Sequence, residues 1–311
     1  MEEKDIKENV ETVEQDNRPY QVIIEEARSN LFKSYSKTRK ISNIIMFAVV
    51  GAIVGVMFLI MSNNKALNIV GYSLAGALLL GMILYYVLTR KKMPNKTQEY
   101  MALVSSALRD RLFKDDYCDL KHNPEEKFEI SDVAGDGVYK DATSTNSRNI
   151  VRGVYKDHHF TYGELALLRP STRKQQVPPL FVGRYVTLPN DLEFDGRFVI
   201  VYKSEKQPLD LPNAVEDLVV LEEKDNIVIY GPEGADFRKI LKKDFLNGLR
   251  KLTIDKHLLN VNIVVWGGHT AAYISYDDVI MSFPFDKPFD YEAYEQSVDD
   301  FAVVMNLIAG E

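Results

Sequence analysis

"VNIVVWGGHTAAYISY", Val261–Tyr276, sets two apolar runs rich in β-branched and aromatic residues on either side of a Gly-Gly pair. Such runs suit the pleated, half-buried surface of a sheet. Gly267-Gly268 suits a two-residue hairpin turn, whose backbone needs left-handed conformations that glycine adopts without strain. An antiparallel hairpin is expected here. Upstream, "NIVRGVYKD", "HFTYGELALLR", "PLFVGRYVTL", "GRFVIVYK", "LVVLEE" and "NIVIYG" read as further short strands, bounded by turn signals such as Leu188-Pro189-Asn190-Asp191 and Tyr230-Gly231-Pro232.

Helical spacing appears only around these strands. "FRKILKKDFLNGLRKL" places Phe237, Leu241, Phe245, Leu249 and Leu252 along one face, and Tyr291–Ile308 lines up Tyr294, Val298, Phe301, Met305 and Ile308. Strands grouped ahead of helices, without strict alternation, predict an α+β domain with a mainly antiparallel sheet. Its expected range is 97–311, long enough to bury a core of its own. Between Asp119 and Asn149 the reading is poorer, because Gly135, Gly137 and Asp141–Ser147 punctuate whatever strands lie there.

The N-terminal third is written for a different solvent. The net charge of -7 and the pI near 5.4 suggest an ordinary soluble protein, but the charge is segregated. Between Ile41 and Leu88 the only charged residue is Lys65, whereas from Thr97 onward 25 Lys and Arg face 36 Asp and Glu. Residues 41–61 make a helix roughly 31 Å long, close to the roughly 30 Å of a bilayer's hydrocarbon. Residues 67–88 make a second helix of spanning length, and the short connection predicts an antiparallel transmembrane hairpin. Lys33, Lys37, Arg39 and Lys40 before it and Arg90, Lys91, Lys92 and Lys96 after it outweigh the lone Lys65 of the loop. Positive residues stay inside, so both termini and the α+β domain are expected in the cytoplasm of a plasma (inner) membrane protein. The single Cys118 agrees with a reducing compartment. Gly51 and Gly55, Gly71 and Ala75, and Ala77 and Gly81 stand four apart, a spacing that lets helix backbones approach closely. Neither span holds an ionisable residue, which argues against a stand-alone transporter.

Residues 1–40 divide into a charged stretch, Met1–Asn17, and an amphipathic helix from Pro19 with Tyr20, Ile23, Ala27 and Leu31 as its stripe. Pro94 is expected to break the helix of the second span. A further amphipathic helix then carries Tyr100, Met101, Val104, Ala107, Leu108 and Leu112.

Taken in order, "GVYKDHHFTYGEL", "LFVGRYVTLPNDLEFDGRFVIVY", "IVIYGPEGADFRKILKKDFLNGLRKL" and the closing "SFPFDKPFDYEAYEQSVDDFAVVMNLI" resemble the domain of unknown function 3137 family of bacterial membrane proteins. The resemblance implies architecture, two membrane helices ahead of such a domain. It implies no activity and assigns no catalytic residue.

Chemistry is sparse. Asp157-His158-His159 with Glu164 is the one cluster of metal-capable side chains, and adjacent histidines on a strand point to opposite faces, so the pair does not easily hold one ion. His269 reads as a hairpin residue, and His122 and His257 lack obvious partners. A hydrolase would need a pocket that brings His158, Glu164 or His269 within hydrogen-bond reach. Phosphate-loop, nucleophile-elbow and paired-cysteine motifs are absent, so neither cofactor nor metal is expected. "GPEGADF" reads as a helix-capping turn. The acidic C-terminal portion disfavours nucleic acid, although Lys239, Lys242, Lys243, Arg250 and Lys251 suggest a basic helix face that is solvated or touches lipid. The expected function is a membrane-anchored binding or scaffold module whose partners are the lipid bilayer and another protein at the inner face. A membrane-tethered hydrolase and an auxiliary subunit of a larger membrane complex are the alternatives.

Overall fold

The computed structural model describes residues 19–61, 65–114, 116–123, 125–134, 137–139, 141–170, 177–203, 217–241, 243–252, 254, 257–277, 281 and 283–310, with backbone alone over 82–95 and at 243. The charged stretch Met1–Asn17 and the centre of the loop between the expected spans lie outside the described residues. N-terminal helices precede a nine-stranded antiparallel sheet, an α+β architecture. The chain divides into two compact units between Ala107 and Leu108.

In the first unit, α1 (Tyr20–Ile60) and the greater part of α2 (Lys65–Leu112) run antiparallel. Lys96 donates to Ser34 Oγ at 2.9 Å, and Ile60 and Leu59 lie against Gly71, where a Cβ would meet Ile60 Cγ1 at 2.8 Å. Leu31 of the expected stripe is buried in α1 together with Ile24, which the stripe did not include, while Tyr20, Ile23 and Ala27 are half-buried; in α2 Tyr100 and Val104 are buried. Further along, the aliphatic surface is bare. Phe47 and Phe58 are 73% and 75% exposed. Among the described residues one helix, α1, is long and apolar enough to cross a membrane, as an anchor or a signal sequence does; the apolar part of α2 with described side chains, Lys65–Gly81, is shorter.

Pro94 does not break α2, contrary to expectation, and the helix runs on from Lys65 to Leu112. A proline removes one backbone donor and crowds one carbonyl, a cost of about 3 kcal/mol in water. The turns on both sides of Pro94 remain helical, so the local loss does not end the helix.

The second unit holds β1 (Tyr117–His122), α3 (Ile130–Ala134), β2 (Ser144–Tyr155), β3 (His158–Leu168), β4 (Phe181–Pro189), β5 (Arg197–Lys203), β6 (Val219–Lys224), β7 (Ile227–Gly231), α4 (Lys243–Leu249), β8 (Leu258–Trp266), β9 (His269–Tyr276) and α5 (Tyr291–Ile308). The order across the sheet is β1-β2-β3-β4-β9-β8-β5-β7-β6. Two-residue turns with both residues at positive φ join β2 to β3 (Lys156, Asp157) and β6 to β7 (Asp225, Asn226), which suits the twist of the flanking strands. The expected β8–β9 hairpin is present with Gly268 at φ 82°, and it sits between β4 and β5.

Residues 190–196 join β4 to β5 by crossing the tip of that hairpin, so the Leu188–Asp191 segment is the start of a strap rather than a simple turn. Asn190 N donates to Gly268 O at 3.2 Å, Gly268 N to Leu192 O at 2.9 Å, and Asn190 Nδ2 to Trp266 O at 3.0 Å and Thr270 Oγ1 at 2.7 Å. A Cβ on Gly267 would stand 2.7 Å from Phe194 O, so the strap leaves room for glycine alone.

Helix α5, capped where Asp290 accepts from Ala293 N at 3.0 Å, buries Val298, Phe301, Val304 and Met305. Arg184 of β4 points the same way and is 2% exposed. It donates to Ser297 O at 2.6 Å and Ser297 Oγ at 3.0 Å, with Tyr276 and Tyr294 rings 4.9 and 5.5 Å from its guanidinium. Arg111 at the end of α2 pairs with Glu295, and Tyr294 donates to Leu108 O at 2.8 Å. A separate cluster of Phe128, Val133, Val138, Phe181, Tyr185, Val199 and Tyr273 packs the opposite sheet face. Strand alternation separates Tyr185 from Arg184.

Two other expectations are corrected. "FRKILKKDFLNGLRKL" is not one helix: Phe237–Lys239 form a 3-10 turn capped by Asp236, and α4 begins only at Lys243. Buried Phe237 and Leu241 turn inward at the break, and Gly248 lies against Leu307 of α5. The basic face of residues 239–251 is therefore divided between separate pieces, with Lys242 outside the described residues, and Arg250 bonds Asp225 at 3.1 Å. The second correction is β1, an edge strand in the stretch where no strand was assigned.

Candidate functional site

Two depressions open at the strap end of the sheet, one on each face, and Pro189 lines both. On the α5 side, Leu192, Ile240, Leu241, Phe245, Leu307 and Ile308 make an apolar groove of about 460 Å³. Its ionisable lining is His158, Asp191 and Asp244. The last carbonyls of α5 add partial negative charge.

The trough on the other face differs in its ionisable and hydroxyl side chains, set among apolar walls that include Leu120, Val154 and Phe160. It has a volume of about 780 Å³ and is floored by two successive cross-strand rungs. Register places Lys121, Arg152, Thr161 and Thr187 on one rung, and Val154, His159, Pro189 and His269 on the next. Thr187 Oγ1 lies 2.9 Å from His269 Nε2, and the His269 ring rests on Trp266 with centroids 5.2 Å apart. Burial pushes the His269 imidazole below its ordinary value, which favours the neutral ring beside Thr187. Arg152 pairs with Glu126 at the margin, and Asp119 contributes the lining's one carboxylate.

The structure separates the expected site residues. His158 and His159 face opposite sides, as strand geometry requires, the first into the apolar groove and the second into the trough. Glu164 is committed to Arg148 at 2.5 Å, and Arg148 also donates to Met281 O at 2.6 Å. His159 and His269 share the trough but stand two strands apart across Pro189, roughly 10 Å at 4.7–4.9 Å per strand. Among the described residues no group of three potential metal ligands converges. His257 has the partner its sequence context hid, Asp277 at 2.9 Å. Burial, with Arg109 adding to it, lowers the His122 pKa.

Lys121, Arg152, Thr161 and Thr187 were not singled out from the sequence. For Arg152 and Thr161 a signal exists: the two-residue turn at Lys156-Asp157 puts them opposite each other on one face. Lys121 has none, because it lies on the unassigned β1. Of the small residues in the helices, Gly71 is buried against α1, whereas a Cβ on Gly51, Gly55 or Gly81 would meet nothing within 4 Å. Ala75 is half-buried and Ala77 exposed.

No protein-family model, no curated protein and no solved structure matches this chain.

Proposed function

We propose that the chain is a membrane-anchored binding module: residues 41–61 and 67–88 cross the lipid as a hairpin, and the α+β domain stands on the cytoplasmic side, where it recognises another protein. The observation that carries the reading is the exposed aliphatic and aromatic surface of the N-terminal helices beside a sheet domain that buries the same residue types. Phe47 and Phe58 stand in solvent, while Phe301 is 1% exposed. Exposed apolar surface on this scale marks a lipid or protein contact. The basic residues flanking the two stretches support the orientation. The apolar groove and the edge strand β6, with Val219 and Val220 exposed, are surfaces suited to a peptide partner.

Cys118, the sole cysteine and exposed, makes a direct test. On intact cells an impermeant maleimide should leave Cys118 unmodified and should label Asn64→Cys in a Cys118→Ala background. Labelling of Cys118 without permeabilisation would refute the orientation, and extraction of the protein by carbonate would refute the anchor.

A second reading, an auxiliary subunit of a larger membrane complex, is favoured by the open surroundings of Gly51 and Gly55, which leave that face of α1 available to a foreign helix. Stable co-migration with other membrane proteins in mild detergent, lost in Gly51→Leu/Gly55→Leu, separates it from the first. The hydrolase alternative draws no support from His158, Glu164 and His269, which lie in three different environments.

A further inference from the structure

We propose that the trough formed by β1, β2, β3, β4 and β9 binds a ligand through a phosphate dianion. The inference rests on the binding-module reading and names the ligand chemistry of one of its surfaces.

Six side-chain donors line it from five strands, Lys121, Arg152, His159, Thr161, Thr187 and His269, with Lys121, Arg152 and Thr161 as successive cross-strand neighbours at one end. They occupy two adjacent rungs of one face, so all six point out of the sheet in the same direction. A phosphate monoester carries nearly two negative charges and three oxygens, and so can take Lys121, Arg152 and Thr161 together where a carboxylate's two oxygens would leave one unmet. Lys121 and Arg152 set two cations at one wall, where Asp119 lies in the lining and Glu126 pairs with Arg152 at the margin, so a dianion there competes with Glu126 for Arg152. The groove on the other face carries no Lys or Arg in its lining and has Asp191 and Asp244 instead. At about 780 Å³ the trough is far larger than a phosphate group, so the phosphate is one end of a larger molecule.

Trp266, the only tryptophan, touches His269 and reports on the site. The full chain in a neutral detergent is titrated with inorganic pyrophosphate, and in nanodiscs with and without phosphatidic acid, following Trp266 emission and heat by calorimetry. The expected result is saturable binding in at least one arm, weakened at least about ten-fold by Lys121→Ala/Arg152→Ala, as loss of two charge-assisted contacts implies. Thermal unfolding should be little changed, because both side chains are exposed. A response to pyrophosphate assigns a soluble phosphorylated ligand, and a response only to phosphatidic acid assigns a lipid headgroup. Absence of binding in both arms, or binding that the double variant leaves intact, overturns the proposal. Neither result bears on the anchor, which thiol labelling tests separately.

Discussion

Phe47 of α1 and Phe301 of α5 are the same side chain in opposite surroundings, 73% and 1% exposed. Around Phe301 the rings of Phe113 and Tyr162 stand edge-on at 6.0 and 5.4 Å between centroids, and the Arg184 guanidinium lies 5.8 Å above it. The stretch around Phe47 exposes Ile44, Met46 and Val50 as well. One region uses apolar residues to make an interior. The other makes an apolar exterior, and the lesson is that residue type fixes the preferred solvent while the neighbours decide whether protein or lipid supplies it.

The largest expected effect tests that contrast directly. Phe301→Ala should cost about 3–5 kcal/mol of domain stability, whereas Phe47→Ala should leave the domain's unfolding midpoint in place. Urea unfolding of the full chain in detergent, followed by Trp266, reads the sheet domain alone. Equal losses for both variants would break the contrast.

Next in size is the strap. Gly267→Ala puts a methyl against Phe194 O and should destabilise the domain by about 1–3 kcal/mol. Gly51→Ala, with nothing within 4 Å, should change stability by under about 0.5 kcal/mol. Paired thermal melts compare the two.

The smallest effect is protonic. Because burial depresses the His269 pKa, the unfolded chain binds a proton there before the folded chain does, so stability falls as pH drops from the ordinary histidine value near 6.5 through the depressed folded value. His269→Asn should flatten part of that slope between neutral and mildly acidic pH. The part due to His122, shifted in the same direction, should persist. An unchanged slope in the variant would show that burial of His269 is not thermodynamically felt.

Eight of the nine strands and the whole of α5 were legible in the chain because each has an internal signal, period two between turn residues or period 3.6 on one face. β1 was not. Tyr117-Cys118-Asp119-Leu120-Lys121-His122 is an edge strand with one partner, and its exposed side chains carry no alternation to read. The interrupted segment from Phe237 to Leu252 misled for the converse reason: its apolar residues keep helical spacing, but contacts with the rest of the domain bend them inward from two short pieces. For the trough, His159 and His269 were visible as residues and invisible as neighbours. Their shared face depends on β9 docking beside β4, a pairing between segments some 80 residues apart that no local pattern encodes. Glu164 lost its candidacy by the same kind of information, the cross-strand position of Arg148.

The hairpin held under residues 190–196 carries a consequence for biosynthesis. β4 and β5 follow each other in the chain, yet the inner edges of both are filled by β9 and β8. The native sheet therefore cannot join its two halves until β8 and β9, which end at Tyr276, have been synthesised. A nascent chain arrested before that point holds two open edges facing each other, bridged at one end by seven residues.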